Sequence, residues 1–225
     1  MNTDKAYEIL DIIADKNDVD SNDMDVLIKL SRHDDSEIRA YVAELLVLAN
    51  GCKAENVLIN LCNDKDELVR VNACDSLSAF ATVDAYKQLV NCILNDASLL
   101  VKNYSILALV DIMNYIEIDK NELKNLFLNI SSKKEILISA ACFKGLYVLG
   151  YKEYLNNIIG LAITENYQDR CAVINILGDI ITNDNNQFIL SVLKALRETE
   201  KSEAVNSTID RIISEHQHRG TVRDH

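Results

Sequence analysis

Proline and tryptophan are absent from this chain of 225 residues, and glycine occurs only six times. Proline and glycine interrupt helices more strongly than any other residue, so their scarcity favours an almost wholly α-helical fold. Hydrophobic residues nevertheless make up 48% of the chain, which is ample material for a continuous core. The composition therefore predicts a helical protein with a well-buried interior.

Catalytic residue patterns are lacking as well. His33 lies in a predicted turn between helices, and the other three histidines, His216, His218 and His225, lie in a polar C-terminal segment. None accompanies a nucleophile in a recognisable arrangement, and no glycine-rich phosphate-binding loop occurs. We therefore predict no catalytic residue, no cofactor and no enzymatic activity. For His216 and His218, a solvated tail is a simpler explanation than a metal site.

Positive charge is in short supply, with 23 Lys and Arg residues against 35 Asp and Glu residues and a net charge of −12. Phosphate backbones and anionic membrane surfaces repel such a chain. We expect a basic protein as the partner, and neither nucleic acid nor a membrane. The plainer alternative is that the charge only keeps the protein soluble.

The six cysteines form no Cys-x-x-Cys pair and no metal-type spacing with histidine. Most lie in apolar helical segments, as small buried thiols do. We therefore expect reduced cysteines and no metal site. Because a signal-peptide pattern and a membrane-spanning apolar run are also missing, we expect a cytoplasmic protein. The cysteines are Cys52, Cys62, Cys74, Cys92, Cys142 and Cys171.

One short pattern recurs along the chain at spacings of 31 to 37 residues. Its centre is a basic slot, with a capping residue four positions before it and apolar residues three and seven positions after it, on one helix face. Recurrence at this period predicts stacked helix pairs. The slot residues are Arg39, Arg70, Lys102, Ser139, Arg170 and Asn206. The capping positions are Asp35, Asp66, Ser98, Glu135, Asn166 and Ser202, of which only Glu135 is a poor cap.

Six helix pairs are predicted, after a first helix capped by Thr3. We expect residues 1–216 to form a single helical-repeat domain and residues 217–225 a polar tail. The predicted pairs are Met24–Ser31 with Glu37–Ala49, Ala54–Cys62 with Glu67–Phe80, Ala85–Leu94 with Leu99–Met113, Asn121–Ile130 with Ile136–Leu149, Lys152–Thr164 with Tyr167–Ile181, and Gln187–Leu196 with Glu203–Glu215.

The pattern Asp-x-x-[Val/Ile]-Arg-x-x-[Ala/Val]-x-x-x-Leu, present from Asp35 to Leu46 and from Asp66 to Leu77, resembles HEAT repeats. The spacing is similar to that of the short HEAT variety first associated with bilin lyases. This resemblance covers residues 24–215 and implies an all-α, armadillo-like α-solenoid. It also implies a ladder in which acidic caps bind the basic residues from repeat to repeat, with Ser139 and Asn206 as departures. The matching positions are Asp35, Asp66, Arg39, Arg70, Lys102 and Arg170.

In solenoids of this kind the second helix of each pair usually lines the concave face. Counting from the basic slot, positions +1, +2, +5 and +9 are expected to point away from the core, with Tyr147 nearby at +8. Tyrosine supplies binding anchors and carboxylates steer basic partners, so these positions form the predicted binding surface. They supply Tyr41, Glu44, Asn72, Asp75, Asn103, Tyr104, Asp111, Lys144, Tyr147, Asn175 and Asp179.

The leading hypothesis is a non-enzymatic module that binds a basic protein on an acidic concave face. An immunity or antitoxin-like inhibitor of a basic toxin is one concrete version. Two alternatives stay open: an enzyme or enzyme-accessory protein similar to a bilin-lyase subunit, and a scaffold whose partner docks on the convex side or on an end repeat. A HEAT-like DNA glycosylase is disfavoured by the net charge of −12 and the missing tryptophan.

Overall fold

A computed structural model describes residues 2–49, 51–131 and 135–217. Within these ranges the chain forms thirteen α-helices and no β-strand, so the all-α solenoid class is confirmed, as are the six helix pairs and the additional first helix. The predicted polar tail lies, apart from Gln217, outside the described residues. The helices are α1 (Thr3–Lys16), α2 (Ser21–Leu30), α3 (Ser36–Leu45), α4 (Cys52–Leu61), α5 (Glu67–Ser76), α6 (Val83–Asn95), α7 (Leu99–Ile112), α8 (Lys120–Ser131), α9 (Ile136–Val148), α10 (Tyr154–Leu161), α11 (Tyr167–Asp179), α12 (Asn186–Thr199) and α13 (Glu203–Gln217), and 3₁₀ segments extend α3 over Leu46–Leu48 and α5 over Leu77–Ala79.

Side-chain caps begin most of the second helices, as predicted. Each capping oxygen accepts a hydrogen bond from a backbone N–H in the first helical turn. Glu135 precedes α9 without making a capping bond, which also agrees with the sequence prediction. The first helix differs, because Asn2 rather than Thr3 caps it by accepting the Lys5 N–H, and asparagine is the better cap. The confirmed caps are Asp35, Asp66, Ser98 and Asn166.

The described residues fall into two compact units that meet in the chain at Ile118 and Asp119. In the N-terminal unit, α3 packs between α1 and α5, and α5 packs on α7, so these four helices form one row. Helices α2, α4 and α6 form the opposite row. In the C-terminal unit, α11 packs between α9 and α13. The single domain predicted for residues 1–216 stays a prediction.

The positions three and seven residues after the basic slot form the core, as the periodicity predicts. They are fully buried in the first five repeats. In the last repeat, Ile209 is fully buried and Ile212, rather than Ile213, takes the second core position. The buried pairs are Val42 and Leu46, Ala73 and Leu77, Ser105 and Leu109, Cys142 and Leu146, and Val173 and Leu177.

Two glycines in the C-terminal unit occupy positions that a larger residue could not easily take. Gly150 follows α9 at φ +109° and closes a Schellman motif, in which its own N–H bonds the carbonyl of Tyr147 and the Tyr151 N–H bonds that of Leu146. Gly145 lies in α9 directly against the fully buried Phe127 ring of α8. A hypothetical Cβ on Gly145 would lie 2.6 Å from Phe127 Cε2, so the absence of a side chain permits this close approach.

Three slot arginines bind an acid in the following repeat, and we call this set of ion pairs the arginine ladder. Each arginine donates hydrogen bonds from Nε and Nη2 to the two oxygens of one carboxylate. Its Nη1 donates to two backbone carbonyls in the turn before its own helix. The pairs are Arg39 with Asp64 at 2.7 and 2.8 Å, Arg70 with Asp96 at 2.7 and 3.1 Å, and Arg170 with Glu200 at 2.7 and 2.9 Å.

The family resemblance implied that the capping residues Asp35 and Asp66 are the acids of the ladder. The structure shows that other acids bind the arginines. Each ladder acid instead lies two residues before the cap of its own repeat, and it accepts that residue's backbone N–H; Asp64, for example, accepts the N–H of Asp66 at 2.9 Å. The cap oxygens are already engaged with their own helices. One carboxylate therefore holds both the preceding arginine and the start of the next helix.

The two departures from the basic slot keep only the local part of this arrangement. Ser139 Oγ donates to the carbonyl of Ser131 at 3.1 Å, and Asn206 Nδ2 donates to that of Glu200 at 3.3 Å. The contact of Asn206 spans six residues, as does the bond from Arg39 to the His33 carbonyl. Ser139 and Asn206 therefore each bond back to the segment before their own helix without an arginine.

Replacing Arg70 by alanine is expected to lower the free energy of unfolding by about 3 kcal/mol, because Asp96 would be left buried without its partner. The Arg70 and Asp96 side chains are only 17% and 9% exposed. Urea denaturation followed by circular dichroism measures the change. K87A is the control in the same unit, since Lys87 and Asp84 are 69% and 78% exposed and their pair contributes less than about 1 kcal/mol. Equal losses in both variants would contradict the ladder's role.

Replacing Gly145 by alanine is expected to destabilise the protein by about 1–3 kcal/mol, since the new Cβ overlaps the buried Phe127 ring. The matched control is G160A in α10, where nothing lies within 4 Å of the position that a Cβ would take. There alanine should stabilise the helix by up to about 1 kcal/mol. Thermal unfolding of the two variants should therefore shift in opposite directions, and a stabilised G145A would refute the close packing.

Candidate functional site

Seven of the eleven predicted binding residues lie on three neighbouring second helices of the N-terminal unit. Helix α3 contacts α5, and α5 contacts α7, so residues far apart in sequence share one row of helices. Asp11 of α1 joins them through Tyr41. The residues are Tyr41 and Glu44 on α3, Asn72 and Asp75 on α5, and Asn103, Tyr104 and Asp111 on α7. We call Asp11, Tyr41, Glu44, Asn72, Asp75 and Asp111 the acidic strip.

Tyrosines connect α1 to α3 at one end of the acidic strip. The hydroxyl of Tyr41 donates to Asp11 Oδ1 at 3.0 Å, and that of Tyr7 donates to Glu37 Oε2 at 2.9 Å. Burial, the bond to Asp11 and the charges of Asp11, Glu44 and Asp15 raise the pKa of Tyr41. The phenol therefore stays protonated and donates its hydrogen bond well above neutral pH.

Helix α1 was missed as part of the site by sequence reasoning. Its buried residues Ala6, Leu10 and Ile13 precede Ile38, Val42 and Leu45 by the same 32 residues. The sequence therefore already contained a sign that α1 belongs to the site: its apolar residues have the same spacing as those of α3. This spacing makes α1 equivalent to the second helix of a repeat. Its acidic outer residues therefore extend the row formed by α3, α5 and α7.

Acidic side chains continue across α3, α5 and α7. Asn72 Nδ2 donates to Glu44 Oε1 at 2.7 Å and to the Ala40 carbonyl at 3.3 Å, which ties α5 to α3. The Asp75 side chain is exposed, but neighbouring protein atoms partly desolvate its carboxylate, and this desolvation, followed by the charge of Asp111 on α7, raises the pKa of Asp75. The carboxylates of Asp75 and Asp111 are therefore close enough to repel each other across two helices.

The cationic residues of these helices belong to the ladder side of the repeats. On α3, α5 and α7 they are Arg39, Arg70 and Lys102. Arg39 and Arg70 bind ladder acids. Burial raises the pKa of Asp96, but its bonds with Arg70 and the Ser98 N–H and the charges of Arg70 and Lys102 lower it overall. The acidic strip therefore consists of carboxylates and neutral hydrogen-bonding groups.

Asn103 was predicted to reach the surface, but it is buried. It is 8% exposed, and its Oδ1 has no hydrogen-bond partner among the described residues. Position +1 is also buried in three other repeats, at Ala40, Val71 and Ala140, whereas Cys171 is half-buried and Ser207 is exposed. The expectation that +1 points outward was therefore wrong for the first four repeats, where the apolar residues at this position were the available signal. Tyr104, one residue further on, is half-buried.

The four predicted residues of the C-terminal unit form a different arrangement. Lys144 and Tyr147 on α9 are 8% and 7% exposed, so they too lack the predicted exposure. The Lys144 ammonium binds Asp179 Oδ2 of α11 at 2.9 Å, and Asn175 accepts a hydrogen bond from Arg211 at 2.7 Å. Positive groups thus meet the polar residues of this row.

Tyr147 is held in place by polar contacts rather than offered to a partner. Its hydroxyl accepts a hydrogen bond from Asn185 Nδ2 at 2.8 Å, and the Lys152 ammonium lies 4.0 Å from its ring centroid. Such a cation–π contact favours a fixed ring orientation. Tyr147 therefore has a structural explanation within the C-terminal unit.

A cleft of about 670 Å³ lies beside the turns of the N-terminal unit and includes His33, Arg39 and Asp64 in its lining. Burial raises the pKa of Asp64, but its bonds with Arg39 and the Asp66 N–H lower it overall. A general acid at neutral pH needs the opposite shift. Asp64 is therefore explained by the arginine ladder.

The pKa of the Asp75 carboxyl is expected to lie above the ordinary aspartate value, because partial desolvation and the Asp111 charge oppose its ionisation. Carbon-13 NMR of the side-chain carboxyl during a pH titration measures this directly. D111N should lower the pKa of Asp75, whereas D25N on α2 should leave it unchanged. An Asp75 pKa that does not respond to D111N would contradict the proximity of the two charges.

Residues 24–110 match the family profile described as HEAT repeats. No curated protein matches the chain. The solved complex of CpcE and CpcF of phycocyanin lyase from Nostoc sp. PCC7120 is similar, with a TM-score of 0.62 and 17% identity over 94% of this chain and 88% of that chain. Human deoxyhypusine hydroxylase in complex with glycerol gives a TM-score of 0.41 and 13% identity over 95% and 88% of the two chains.

Across the part of the chain that the structure describes, no helix has the length and apolar content needed to cross a membrane. The match to the lyase complex, at its low identity, indicates a shared fold. The repeated caps, core positions and arginine ladder account for that fold in terms of individual residues. Residues 24–110 therefore carry HEAT repeats, and the described helices share the helical-repeat fold of the lyase complex.

Proposed function

We propose that this protein is a non-enzymatic HEAT-repeat module that binds a basic protein partner through the acidic strip, on the concave face of the repeats. The observation that carries the proposal is the alignment of Asp11, Glu44, Asp75 and Asp111 across four adjacent helices. A row of carboxylates steers a positively charged protein towards it and fixes its register.

The contacts within the acidic strip support binding by a preorganised surface. Tyr41 is held by Asp11, and Asn72 is held by Glu44, so these side chains need little further ordering when a partner arrives. Asp75 and Asp111 repel each other in the free protein. A lysine or arginine side chain placed between them would remove that repulsion, which favours a basic partner.

An inhibitor that masks the basic surface of a toxin, such as a nuclease, is a concrete version of this proposal. All six cysteines are free thiols, which is compatible with the reducing cytoplasm where we expect the protein to act. The similar lyase structure is a complex of two proteins, CpcE and CpcF, and offers a precedent for this fold in an assembly. A role as an enzyme-accessory subunit is the second candidate, favoured by that likeness.

Reversing two charges of the acidic strip is expected to abolish partner binding. E44K/D75K should lose the proteins that tagged wild type captures from its host, and the affinity of a purified captured partner should fall roughly tenfold or more. The control, D25K/D84K, makes the same change in net charge on the exposed residues of α2 and α6. Mass spectrometry of captured proteins and calorimetric titration of a purified partner provide the measurements.

Three results discriminate among the hypotheses. Loss of a basic partner in E44K/D75K alone, with binding weakened by salt, supports the proposed surface. Binding that survives in both variants overturns it and favours a scaffold with another docking face. Capture of an enzyme subunit whose activity requires this protein favours the accessory role. Thermal unfolding of both variants establishes that they are folded.

A further inference from the structure

Three buried thiols meet in the core of the N-terminal unit. The sulfur atoms of Cys62, Cys74 and Cys92 all lie within 4.8 Å of one another, and those of Cys62 and Cys74 are 3.6 Å apart. The three residues are 2%, 0% and 4% exposed. We call them the sulfur cluster. None of its residues belongs to the acidic strip, although Cys74 directly precedes Asp75 on α5, and the cluster is not needed for the proposed function.

Repeat packing, rather than a sequence motif, assembles the sulfur cluster. Cys62 follows α4 directly, Cys74 lies in α5 and Cys92 lies in α6. Helix α4 contacts both α5 and α6, so the second and third repeats each contribute to the cluster. The separations along the chain match no common metal-binding motif, which is why the sequence indicated only buried thiols.

The geometry of the sulfur cluster fits a small thiophilic metal ion. A metal–sulfur bond of about 2.3 Å places the ligand sulfurs of a tetrahedral or trigonal site roughly 3.8–4.0 Å apart. The Cys62–Cys74 separation of 3.6 Å is close to that value and no separation exceeds 4.8 Å, so closing on an ion requires only small side-chain movements.

The donor set favours an ion that accepts three sulfur ligands. Soft thiolates select copper(I) and zinc, but structural zinc sites are almost always four-coordinate. Beside the sulfurs, Gln88 Nε2 donates to Cys92 Sγ at 3.5 Å, and an amide nitrogen is a donor rather than a ligand. The Ser105 hydroxyl near Cys74 already donates to the Val101 carbonyl at 2.8 Å.

We propose that Cys62, Cys74 and Cys92 form a three-coordinate binding site for copper(I) within the core of the N-terminal unit. Binding would tie the second repeat to the third and release the protons that the ligand thiols still carry. The ion is bound by sulfur alone, and no redox step is involved.

The test uses the full chain in a C52A/C171A background, which removes the two cysteines that are not buried. The reduced, oxygen-free protein is titrated against copper(I) held by a coloured copper(I) chelator. We expect one equivalent of copper per chain to leave the chelator. C74A should weaken the affinity for copper(I) by on the order of 100-fold or more. Loss of a residue that only hydrogen-bonds to a metal ligand already lowers metal affinity about 10–100-fold, and Cys74 is itself a ligand. C142A, which removes a solitary buried thiol, is the matched control and should bind as the background does.

A second measurement has its main readout on the background protein, whose three cluster cysteines are intact. One equivalent of copper(I) should raise the thermal unfolding temperature of the background protein, because the ion binds only the folded cluster. The same amount should not raise that of C74A. Copper left on the chelator, equal uptake by C74A, or retention of zinc(II) without copper(I) would each overturn the proposal.

Discussion

The bidentate ion pair between an arginine of one repeat and an acid of the next is the contact on which the arrangement of repeats depends. Arg39 and Arg70 each close their own turn through backbone carbonyls and bind a carboxylate in the following repeat. That carboxylate accepts the N–H of the next capping residue. A nearly buried charge pair is costly to leave incomplete, so helix start, turn and neighbouring repeat adopt one mutual position.

The faces of the second helices follow from this constraint. Once the ladder sets the positions of α3, α5 and α7, their apolar +3 and +7 residues lie in the core and +2 and +5 lie at the outer face. Glu44 and Asn72 then meet across two helices, as Tyr41 and Asp11 do. The same packing brings the thiols of Cys62, Cys74 and Cys92 together inside the unit. Ladder, strip and sulfur cluster are thus three results of one stacking geometry.

Much of the fold could be predicted because its determinants are local. The caps Asp35 and Asp66 accept hydrogen bonds from N–H groups in the first turn of the helix that follows them. The burial of residues such as Val42 and Leu46 is predicted by their spacing along one helix. The site was less predictable. Exposure at Glu44 and Asp75 followed from the same period, but Asn103 and Lys144 are covered by packing that periodicity within one helix does not describe.

The sequence by itself determined the helices, their caps, the core face and the acidic character of the chain, since each depends on residues within a few turns or on composition. Tertiary structure decided which acid each arginine binds, that α1 joins the row of second helices, and that Lys144 meets Asp179 in one unit while carboxylates gather in the other. These outcomes depend on distances between side chains some thirty residues apart, which the packing of separate helices sets.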